Sequence, residues 1–417
     1  MLEILLETAE SGKLSGLESV VKEGARRLLI SALESEVDAY IEAHKNLKDE
    51  DNKRLVVRNG KAQQRSVLTS AGSIKLEAPR VNDRRCGEKF ASTLLPPFLR
   101  KSPELENLIP TLYLRGLSTG KVSETLTEYF GDGAGVSKST VSSLCSAWEK
   151  EFSDFNERLI TDEFVYIWAD GVYAKSRLGD DKKCCLLALM GVTKAGDKQL
   201  ISIVDGYRES KEAWKDMLLN LIGRGFKAPM LAIADGALGF WAAISELEEF
   251  KNTKPQRCWV HKIRNVLSKL PKSVQTKAKE LLHDMMRAES KASAEKTRDQ
   301  FIKLYAAKYP KATDCLEKNW FELISFFDFP AGHWVSIRTT NPLESNFASV
   351  KLRTKSTRGS GSIKRASALA FKLLESCEKR WRKIKYHQDL EPLTNGVEFR
   401  DGLVVERTSS KAQDHAA

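Results

Sequence analysis

The 417-residue chain has no apolar run that approaches the roughly 20 residues of a membrane-spanning helix. Its first residues, Met1 to Glu7, lack the basic segment that opens a secretory signal peptide, which predicts that the protein is not exported. Its 7 cysteines are scattered and include no Cys-x-x-Cys pair, so we expect reduced thiols rather than a disulfide framework. These absences favour a cytoplasmic protein without a membrane partner.

Acidic residues are fewer than basic residues. The chain carries 67 Lys and Arg against 56 Asp and Glu, which gives a formal charge of +11 and a pI near 9.1. Such a balance favours a polyanionic partner, although charge alone does not establish one. The length predicts two or three domains with a full-sized core.

Residues 1–100 are predicted to combine a helix with a β-hairpin unit, for dimerisation or DNA binding. Apolar residues recur at helical spacing between Leu17 and Ile41, a stripe that fits a dimer interface or ordinary packing within one domain. Extended runs follow, and the Asn59-Gly60 pair predicts a hairpin turn between them. The basic residues of this region fit either phosphate contacts or a solvated surface: Arg58, Lys61, Arg65 and Arg80.

Residues 101–160 are predicted to form three helices that resemble a helix-turn-helix DNA-binding domain. Ser102-Pro103-Glu104 opens the first helix and Gly116 ends it, Ser118 opens the second, and Ser137 caps the third after a glycine-rich turn. The third helix would present its N-terminal side chains to bases or phosphates: Ser137, Lys138, Ser139 and Thr140. Other helical subdomains share this pattern, so the alternative of a purely structural unit stays open.

Residues 161–261 have the pattern of an α/β sheet. Apolar runs at 164–171, 184–192, 199–206 and 230–236 surround a predicted helix from Ser210 to Gly223, and a short strand is predicted at 256–260. Three of the runs end on Asp-Gly, at Asp170, Asp205 and Asp235. Each pair is an ordinary signal for a turn after a strand, and we interpret Asp205 that way. Parallel neighbours would place Asp170 and Asp235 side by side at their strand ends.

Residues 262–335 are predicted to be an all-α insertion, because their apolar positions have helical spacing. We interpret the aromatic residues near its end as core rather than as a base-stacking surface. Residues 336–390 would return to the sheet domain with a basic helix. Residues 391–417 are interpreted as a C-terminal tail, which we expect to be disordered after about Thr408.

Glu344 lies at the start of that basic helix. Asn341 is predicted to cap the helix, Pro342 suits its first position, and Glu344 then falls in the first turn. The cations that follow it are Lys351, Arg353, Lys355 and Arg358, of which Lys351 and Lys355 share the side of Glu344. One carboxylate above a run of cations fits a metal-dependent site on a phosphate backbone. It equally fits an acidic residue that complements the helix dipole.

Asp170, Asp235 and Glu344 together would form a site for divalent cations. Buried carboxylates repel one another unless a cation or protons neutralise them, and their hard oxygen atoms suit Mg²⁺ or Mn²⁺. Two such ions clamp the attacking and leaving oxygens of a phosphodiester. Spacing in the sequence does not decide between this constellation and three unrelated acids.

Several long motifs, in order, resemble those of the Mutator-type bacterial insertion-sequence transposases, an RNase H-like DDE family, over nearly the whole chain. They are WADGVY at 168–173, DGYRES at 205–210 followed by Trp214 and RGF at 224–226, ADGALGFW at 234–241, QRCWVHK at 256–262 and RTTNPLES at 338–345. The resemblance implies an α/β, RNase H-like catalytic domain interrupted by the all-α insertion. It implies that Asp170, Asp235 and Glu344 hold two divalent ions, Mg²⁺ or Mn²⁺.

The function implied by the resemblance is that of a DNA transposase. It would bind the terminal inverted repeats of an insertion element, cut at the element's ends and join them to target DNA, as a dimer or larger assembly in the bacterial cytoplasm on nucleoid DNA. Two alternatives are a DNA-binding regulator without catalysis and a structure-specific two-metal nuclease.

The Cys-x-x-His pair, Cys258 and His261, has no second pair at zinc-site spacing, so we favour a supporting role beside the acidic site over zinc binding. Arg257 and Lys262 flank the pair and are interpreted as DNA contacts. Asn341 and Asn346 are interpreted as residues that orient Glu344 or contact substrate; capping or decorating the helix is the simpler reading.

Overall fold

The computed structural model describes residues 16–87, 89–130, 136–175, 183–206, 209–236, 238–356 and 362–405. It divides into two compact units, Met1–Leu144 and Cys145–Ala417. The predicted DNA contact Arg358 lies outside the described residues, and so do residues 406–417 of the C-terminal tail. Among the helices that the structure describes, none combines the length and apolar character needed to cross a membrane.

The first unit begins with a long helix packed on short strands. Helix α1 spans Leu17–Ala43, and the strands are β1 (Val56–Lys61), β2 (Arg65–Thr69), β3 (Gly72–Leu76) and β4 (Pro79–Asp83). Strand β1 pairs with β4 and β2 with β3, both antiparallel. The helix packs against β3 and β4 through Leu33, whereas Leu17, Val21 and Leu28 of the predicted stripe are exposed. The buried face of α1 is therefore not the stripe that its spacing indicated.

The turn predicted at Asn59-Gly60 is wrong. Both residues lie inside β1, where the register with β4 shifts between Arg58 and Lys61 and Gly60 has φ +63°. The pair therefore forms a bulge, in which glycine accepts the left-handed backbone conformation. The chain instead reverses between Thr69 and Gly72, which face each other across β2 and β3.

The described part of the first unit also contains three further helices: α2 (Pro103–Leu114), α3 (Thr119–Phe130) and α4 (Lys138–Glu157), the last of which contains the division between the units. Their predicted starts are confirmed. Ser118 Oγ accepts a hydrogen bond from Lys121 N at 3.4 Å, and Ser137 Oγ accepts one from Thr140 N at 3.1 Å. Gly116, with φ +109°, follows the end of α2 as expected.

A five-stranded sheet forms the centre of the second unit. Its strands are β5 (Phe164–Lys175), β6 (Lys183–Thr193), β7 (Lys198–Gly206), β8 (Leu231–Ala234) and β9 (Lys254–Arg257), in the order β7-β6-β5-β8-β9. Strands β5, β6 and β7 are antiparallel neighbours, and β8 and β9 run parallel to β5. Helices α5 (Lys211–Gly223) and α6 (Leu238–Ile244) bury Trp214, Leu218 and Phe240 with the sheet residues Ile167 and Leu187. The predicted α/β class is confirmed.

Some predicted boundaries in this unit are wrong. The strand end predicted at Asp205-Gly206 is confirmed, because β7 ends at Gly206, but another boundary differs. The strand predicted at 256–260 ends earlier: β9 stops at Arg257, and Trp259 begins a helix. Trp259 N donates to Arg338 O at 3.1 Å, which lies outside the sheet. Helix α6 ends at Ile244, and a separate 3₁₀ turn, Glu248–Phe250, follows it.

The remainder of the second unit is mainly helical. Its helices are α7 (Trp259–Leu267), α8 (Lys272–Arg287), α9 (Lys291–Tyr305), α10 (Pro310–Glu317), α11 (Trp320–Leu323), α12 (Trp334–Ile337), α13 (Asn341–Ser356), α14 (Ile363–Glu378) and α15 (Leu390–Thr394), with short strands β10 (Phe399–Arg400) and β11 (Leu403–Val404) and 3₁₀ turns Ser325–Asp328, Ala331–His333 and His387–Asp389. Trp320, Phe326 and Phe327 are buried, as the interpretation as core requires, whereas Phe321 is exposed. Helix α13 packs against β5 and α14.

Candidate active site

Two aspartates meet where the parallel part of the sheet ends. Ala169 of β5 pairs with Ala234 of β8 in the last parallel pair, so the residues that follow them, Asp170 and Asp235, lie side by side. Strand β5 nevertheless continues through Asp170 to Lys175, because β6 pairs with it along this whole length. The expectation that Asp170 ends its strand is therefore wrong, although its place beside Asp235 is as predicted.

Glu344 reaches the site from the first turn of α13. The Leu343 and Glu344 N–H groups both donate to Thr340 O, at 2.9 and 3.0 Å, so the helical hydrogen bonds begin at Thr340. The predicted cap at Asn341 is therefore one residue late, and Asn341 itself is exposed. The Thr340 hydroxyl donates to Glu344 Oε1, which holds the carboxylate from within the same turn.

The His261 side chain joins two of the three acids. His261 lies in the first turn of α7, with Nε2 3.7 Å from Asp235 Oδ2 and Nδ1 3.4 Å from Glu344 Oε1. A single imidazole therefore bridges carboxylates that are 109 positions apart in the chain. Burial alone would lower the pKa of His261, but Cys258, Asp235 and Glu344 together raise it to about 9. The raised pKa favours the protonated ring, which would supply positive charge between the two acids.

Asp170 completes the acidic cluster. Burial, followed by the nearby Glu344 carboxylate, raises the pKa of Asp170 to about 7, while a 2.9 Å hydrogen bond from Gly171 N opposes the change. The raised pKa means that ionising Asp170 next to Glu344 costs free energy, which a bound cation would offset. Asp170, Asp235 and Glu344 all offer carboxylate oxygens, the donors that Mg²⁺ and Mn²⁺ prefer. The donor set therefore fits hard divalent cations.

A fourth carboxylate, Glu209, borders the cluster and was not identified from the sequence. Its side chain occupies the space where Gly171 lacks a Cβ, so Gly171 permits the approach. Burial, and after it the charge of Asp235, raises the pKa of Glu209, whereas His261 lowers it. The quoted motif at 205–210 contains Glu209, but the acid ends no apolar run and has no spacing relation to the other three, so nothing in the sequence pattern assigned it a role.

Cys258 supports the start of α13. It is buried, its Sγ accepts a hydrogen bond from Thr340 N at 3.3 Å, and Thr340 Oγ1 lies 3.2 Å from the same sulfur. Donor atoms of Cys258, His261 and Glu344 lie within 4.8 Å of one another, and within the described part of the chain no fourth such side chain joins them. Structural zinc sites use four ligands. The geometry favours a supporting role for the Cys-x-x-His pair over a closed zinc site.

The two cations that flank this pair differ in exposure. Arg257 is partly exposed, its guanidinium lies against Gly236, and burial lowers its pKa although Asp235 raises it. Lys262 is only 5% exposed, and its Nζ donates to the carbonyl oxygens of Cys315 and Lys318, at 2.7 and 2.6 Å. The interpretation of Lys262 as a DNA contact is therefore wrong: its ammonium group is used to hold α10 and the turn after it.

The basic residues of α13 also differ in exposure. Lys351 is exposed, as a residue that contacts DNA must be, but Arg353 is only 3% exposed and lies on the inner side of α13. Arg353 is therefore corrected to a core-facing residue. The side chain of Lys355 lies outside the described part of the structure. Asn346 is bound away from the acids, because its Nδ2 donates to Pro342 O at 2.7 Å and its Oδ1 accepts from Trp381 Nε1 at 3.1 Å.

The four residues predicted at the start of the recognition helix lie in the first unit. Ser137, Lys138, Ser139 and Thr140 are all exposed at the N-terminal end of α4. The Ser137 hydroxyl bonds Ser139 and Thr140 hydroxyls at 2.7 and 2.8 Å, in addition to its capping bond. This helix end therefore presents hydroxyl groups and one lysine to solvent.

Comparisons with known proteins identify relatives of this chain. The family described as Transposase, Mutator family, matches residues 2–383. The chain is 42% identical over 304 residues to the transposase for insertion sequence element IS6120 of Mycolicibacterium smegmatis, which covers 73% of this chain and 93% of that relative. It is 41% identical over 298 residues, 71% of this chain and 100% of the relative, to the transposase for element IST2 of Acidithiobacillus ferrooxidans. The match over residues 2–383 and these identities show that the chain belongs to the Mutator family of transposases.

Proposed function

We propose that this chain is a DDE-type DNA transposase in which Asp170, Asp235 and Glu344 form the catalytic triad. The observation that carries the proposal is that His261 lies between two distant carboxylates, 3.7 Å from Asp235 and 3.4 Å from Glu344, while Asp170 lies beside Asp235. The raised pKa of Asp170, caused by burial and then by Glu344, supports a place for it in the same cluster.

An RNase H-like catalytic domain is the fold that best suits this arrangement. Strand order β7-β6-β5-β8-β9, with antiparallel β5 to β7 and parallel β8 and β9, supports that assignment. The helical segment from α7 to α12 would then be the insertion that separates the second acid from the third. The three helices α2 to α4 would be the helix-turn-helix that binds the terminal inverted repeats.

The three carboxylates would hold two divalent ions, Mg²⁺ or Mn²⁺, which supply Lewis-acid activation of water and charge stabilisation for an in-line phosphoryl transfer. Thr340 holds Glu344 in place, and the Gly171 and Gly236 N–H groups hold Asp170 and Asp235. The partly exposed Arg257 beside Asp235 would contact a phosphate of the bound strand. Positioning and charge stabilisation account for catalysis without a covalent enzyme intermediate.

The substrate would be double-stranded DNA, first at the element's inverted repeats and then at the target. Cutting releases a 3′-hydroxyl, and the same site would then use it to attack a target phosphodiester. Because two element ends must be joined to one target, the protein would act as a homodimer or a larger assembly on nucleoid DNA in the cytoplasm.

The test is a strand-cleavage assay on duplex DNA that carries the element's end, with Asp170→Asn, Asp235→Asn and Glu344→Gln. Each variant is expected to cut at least about 10²-fold more slowly while binding the duplex as before. The matched control is Asp205→Asn, because Asp205 also precedes a glycine but is an exposed residue of β7. Unchanged cutting by the three variants would refute the triad.

The same assay separates the two alternatives. A DNA-binding regulator predicts specific binding with no metal-dependent cutting by the unmodified protein. A structure-specific nuclease predicts cutting that depends on Asp170, Asp235 and Glu344 but no joining of the released 3′-end to target DNA.

A further inference from the structure

Phe98 is displayed at the tip of a tight turn in the first unit. Leu99 N donates to Pro96 O at 3.2 Å, which closes a turn with Pro97 second and Phe98 third. Phe98 has φ +70°, the left-handed conformation that a type II turn requires at its third position and that glycine adopts most easily. Its side chain is also 93% exposed. A phenylalanine here is both strained and fully presented to solvent.

The turn is fixed to the β2 strand on both sides. Before it, Arg65 Nη2 donates to Leu95 O at 3.0 Å and to Pro96 O at 3.1 Å. After it, Leu68 N donates to Arg100 O at 2.9 Å, and Ser102 N donates to Leu68 O at 2.8 Å. Strain persists in a protein only where the surroundings enforce it, and it collects at functional positions. The scaffold therefore holds the Phe98 ring outward instead of letting it fold onto the core.

The surface around Phe98 is basic and hydroxyl-rich. Phe98 lines a depression of about 850 Å³ together with Arg65, Arg100, Lys101 and, from the start of α4, Ser137 and Thr140. Arg100 is exposed directly beside the turn. A projecting apolar ring with cations around it matches a partner that has an anionic outer surface and a stacked apolar interior. Duplex DNA has both properties.

We propose that Phe98 is a wedge that inserts between adjacent base pairs of duplex DNA while Arg100 and the depression hold the flanking phosphates. This rests on the proposed function, since it assumes that the first unit binds the element's ends. The inserted ring unstacks one base step and bends the duplex. Burying the ring between bases would give a stabilising role to a side chain that is solvent-exposed in the free protein.

The experiment uses the full chain and duplex DNA with the element's terminal sequence, with 2-aminopurine placed at each successive position. The unmodified protein is expected to raise 2-aminopurine fluorescence at one base step. Phe98→Ala and Phe98→Gly should lose that rise and bind at least about 5-fold more weakly, whereas Phe98→Trp should keep both. Phe98→Gly should not lower the melting temperature, because glycine suits the backbone at this position. Phe321→Ala, which removes an exposed aromatic ring of the second unit, is the matched control and should change neither quantity.

A fluorescence rise that survives in Phe98→Ala would overturn the wedge. So would tight binding by the unmodified protein with no rise at any position, a result that leaves the proposed DNA-binding function intact. A lower sedimentation mass of free Phe98→Ala would show that the ring contacts a second copy of the chain, which also overturns it. Failure of the proposed function itself is seen separately, as loss of duplex binding by the unmodified protein.

Discussion

The Thr340 hydroxyl donates a hydrogen bond to the Glu344 carboxylate from one helical turn earlier. Thr340 is fully buried, its backbone N–H donates to Cys258 Sγ, and its hydroxyl oxygen lies 3.2 Å from that sulfur. A single residue therefore connects the third acid of the proposed triad to the chain segment that carries His261. Thr340 acts on Glu344, so it is a positioning residue rather than a catalytic one.

Thr340→Val should slow strand cleavage by about 10-fold to 100-fold, because the methyl group that replaces the hydroxyl cannot hold Glu344. The divalent-ion concentration for half-maximal cutting should rise, a change that simple loss of stability would not cause. Thr340→Ser should restore both. The measurement is the cleavage rate across a titration of Mg²⁺.

The neighbouring residue provides the control for this variant. Thr339 is also buried, but its hydroxyl finds no hydrogen-bond partner within the described residues. Thr339→Val should therefore leave the metal dependence unchanged and raise the free energy of unfolding by about 1 kcal/mol. If Thr339→Val and Thr340→Val shift the Mg²⁺ requirement equally, Thr340 does not position Glu344.

Lys262→Met should remove a pH dependence of stability. Burial lowers the pKa of Lys262 to about 8, against 10.5 in a solvated chain. Between those pH values the unfolded chain binds a proton that the folded chain has lost, so the stability of the unmodified protein rises with pH through this window. Between pH 7 and pH 10 the free energy of unfolding of the unmodified protein should rise by at most about 3 kcal/mol more than that of Lys262→Met. Urea unfolding at the two pH values is the measurement.

The same variant tests the corrected role of Lys262. If its ammonium group serves only the carbonyls of Cys315 and Lys318, Lys262→Met should leave the salt dependence of DNA binding unchanged. A slope of log K against log salt that becomes shallower by about one would return Lys262 to the DNA interface.

Substituting Lys351 should weaken DNA binding, whereas substituting Arg353 should lower the stability of the protein. Lys351→Ala should make the salt dependence of DNA binding shallower by about 0.9, the value for one lost phosphate contact, without lowering the melting temperature. Arg353→Ala should lower the melting temperature, since its side chain is only 3% exposed and its removal leaves a cavity. DNA-binding titrations at several salt concentrations measure the first effect, and thermal melting curves measure the second. An unchanged slope for Lys351→Ala would remove it from the interface.

Gly239→Ala should destabilise the second unit strongly. A Cβ at Gly239 would lie 2.3 Å from Glu209 O and 2.7 Å from Ser210 C, which are backbone atoms that cannot rotate away. We expect a loss of at least about 2 kcal/mol, the usual range for overpacking. Gly223→Ala is the matched control, because a Cβ there meets nothing within 4 Å and alanine is the better helix former. Urea unfolding of both variants is the measurement, and equal stability would contradict the close packing.

Apolar runs predicted the strands well, because a buried strand must be apolar along its length, and they predicted that Asp170 and Asp235 lie next to each other. They did not predict that β5 continues past Asp170, since that depends on pairing with β6, which no local pattern encodes. They also missed Thr340 and misplaced Lys262. A threonine next to another threonine, and a lysine on a basic helix, acquire their roles only from tertiary contacts.

The close contact between Cys258 and Thr340 closes a loop of 82 positions in the chain. The two ends of the helical segment from α7 to α12 therefore lie next to each other, beside the proposed catalytic acids. Residues added or deleted in the turns far from these two ends would change the length of the segment without moving the ends themselves. Relatives with helical segments of different lengths are thus expected to keep the same spacing between the second and third acids in space, however far apart those acids stand in sequence.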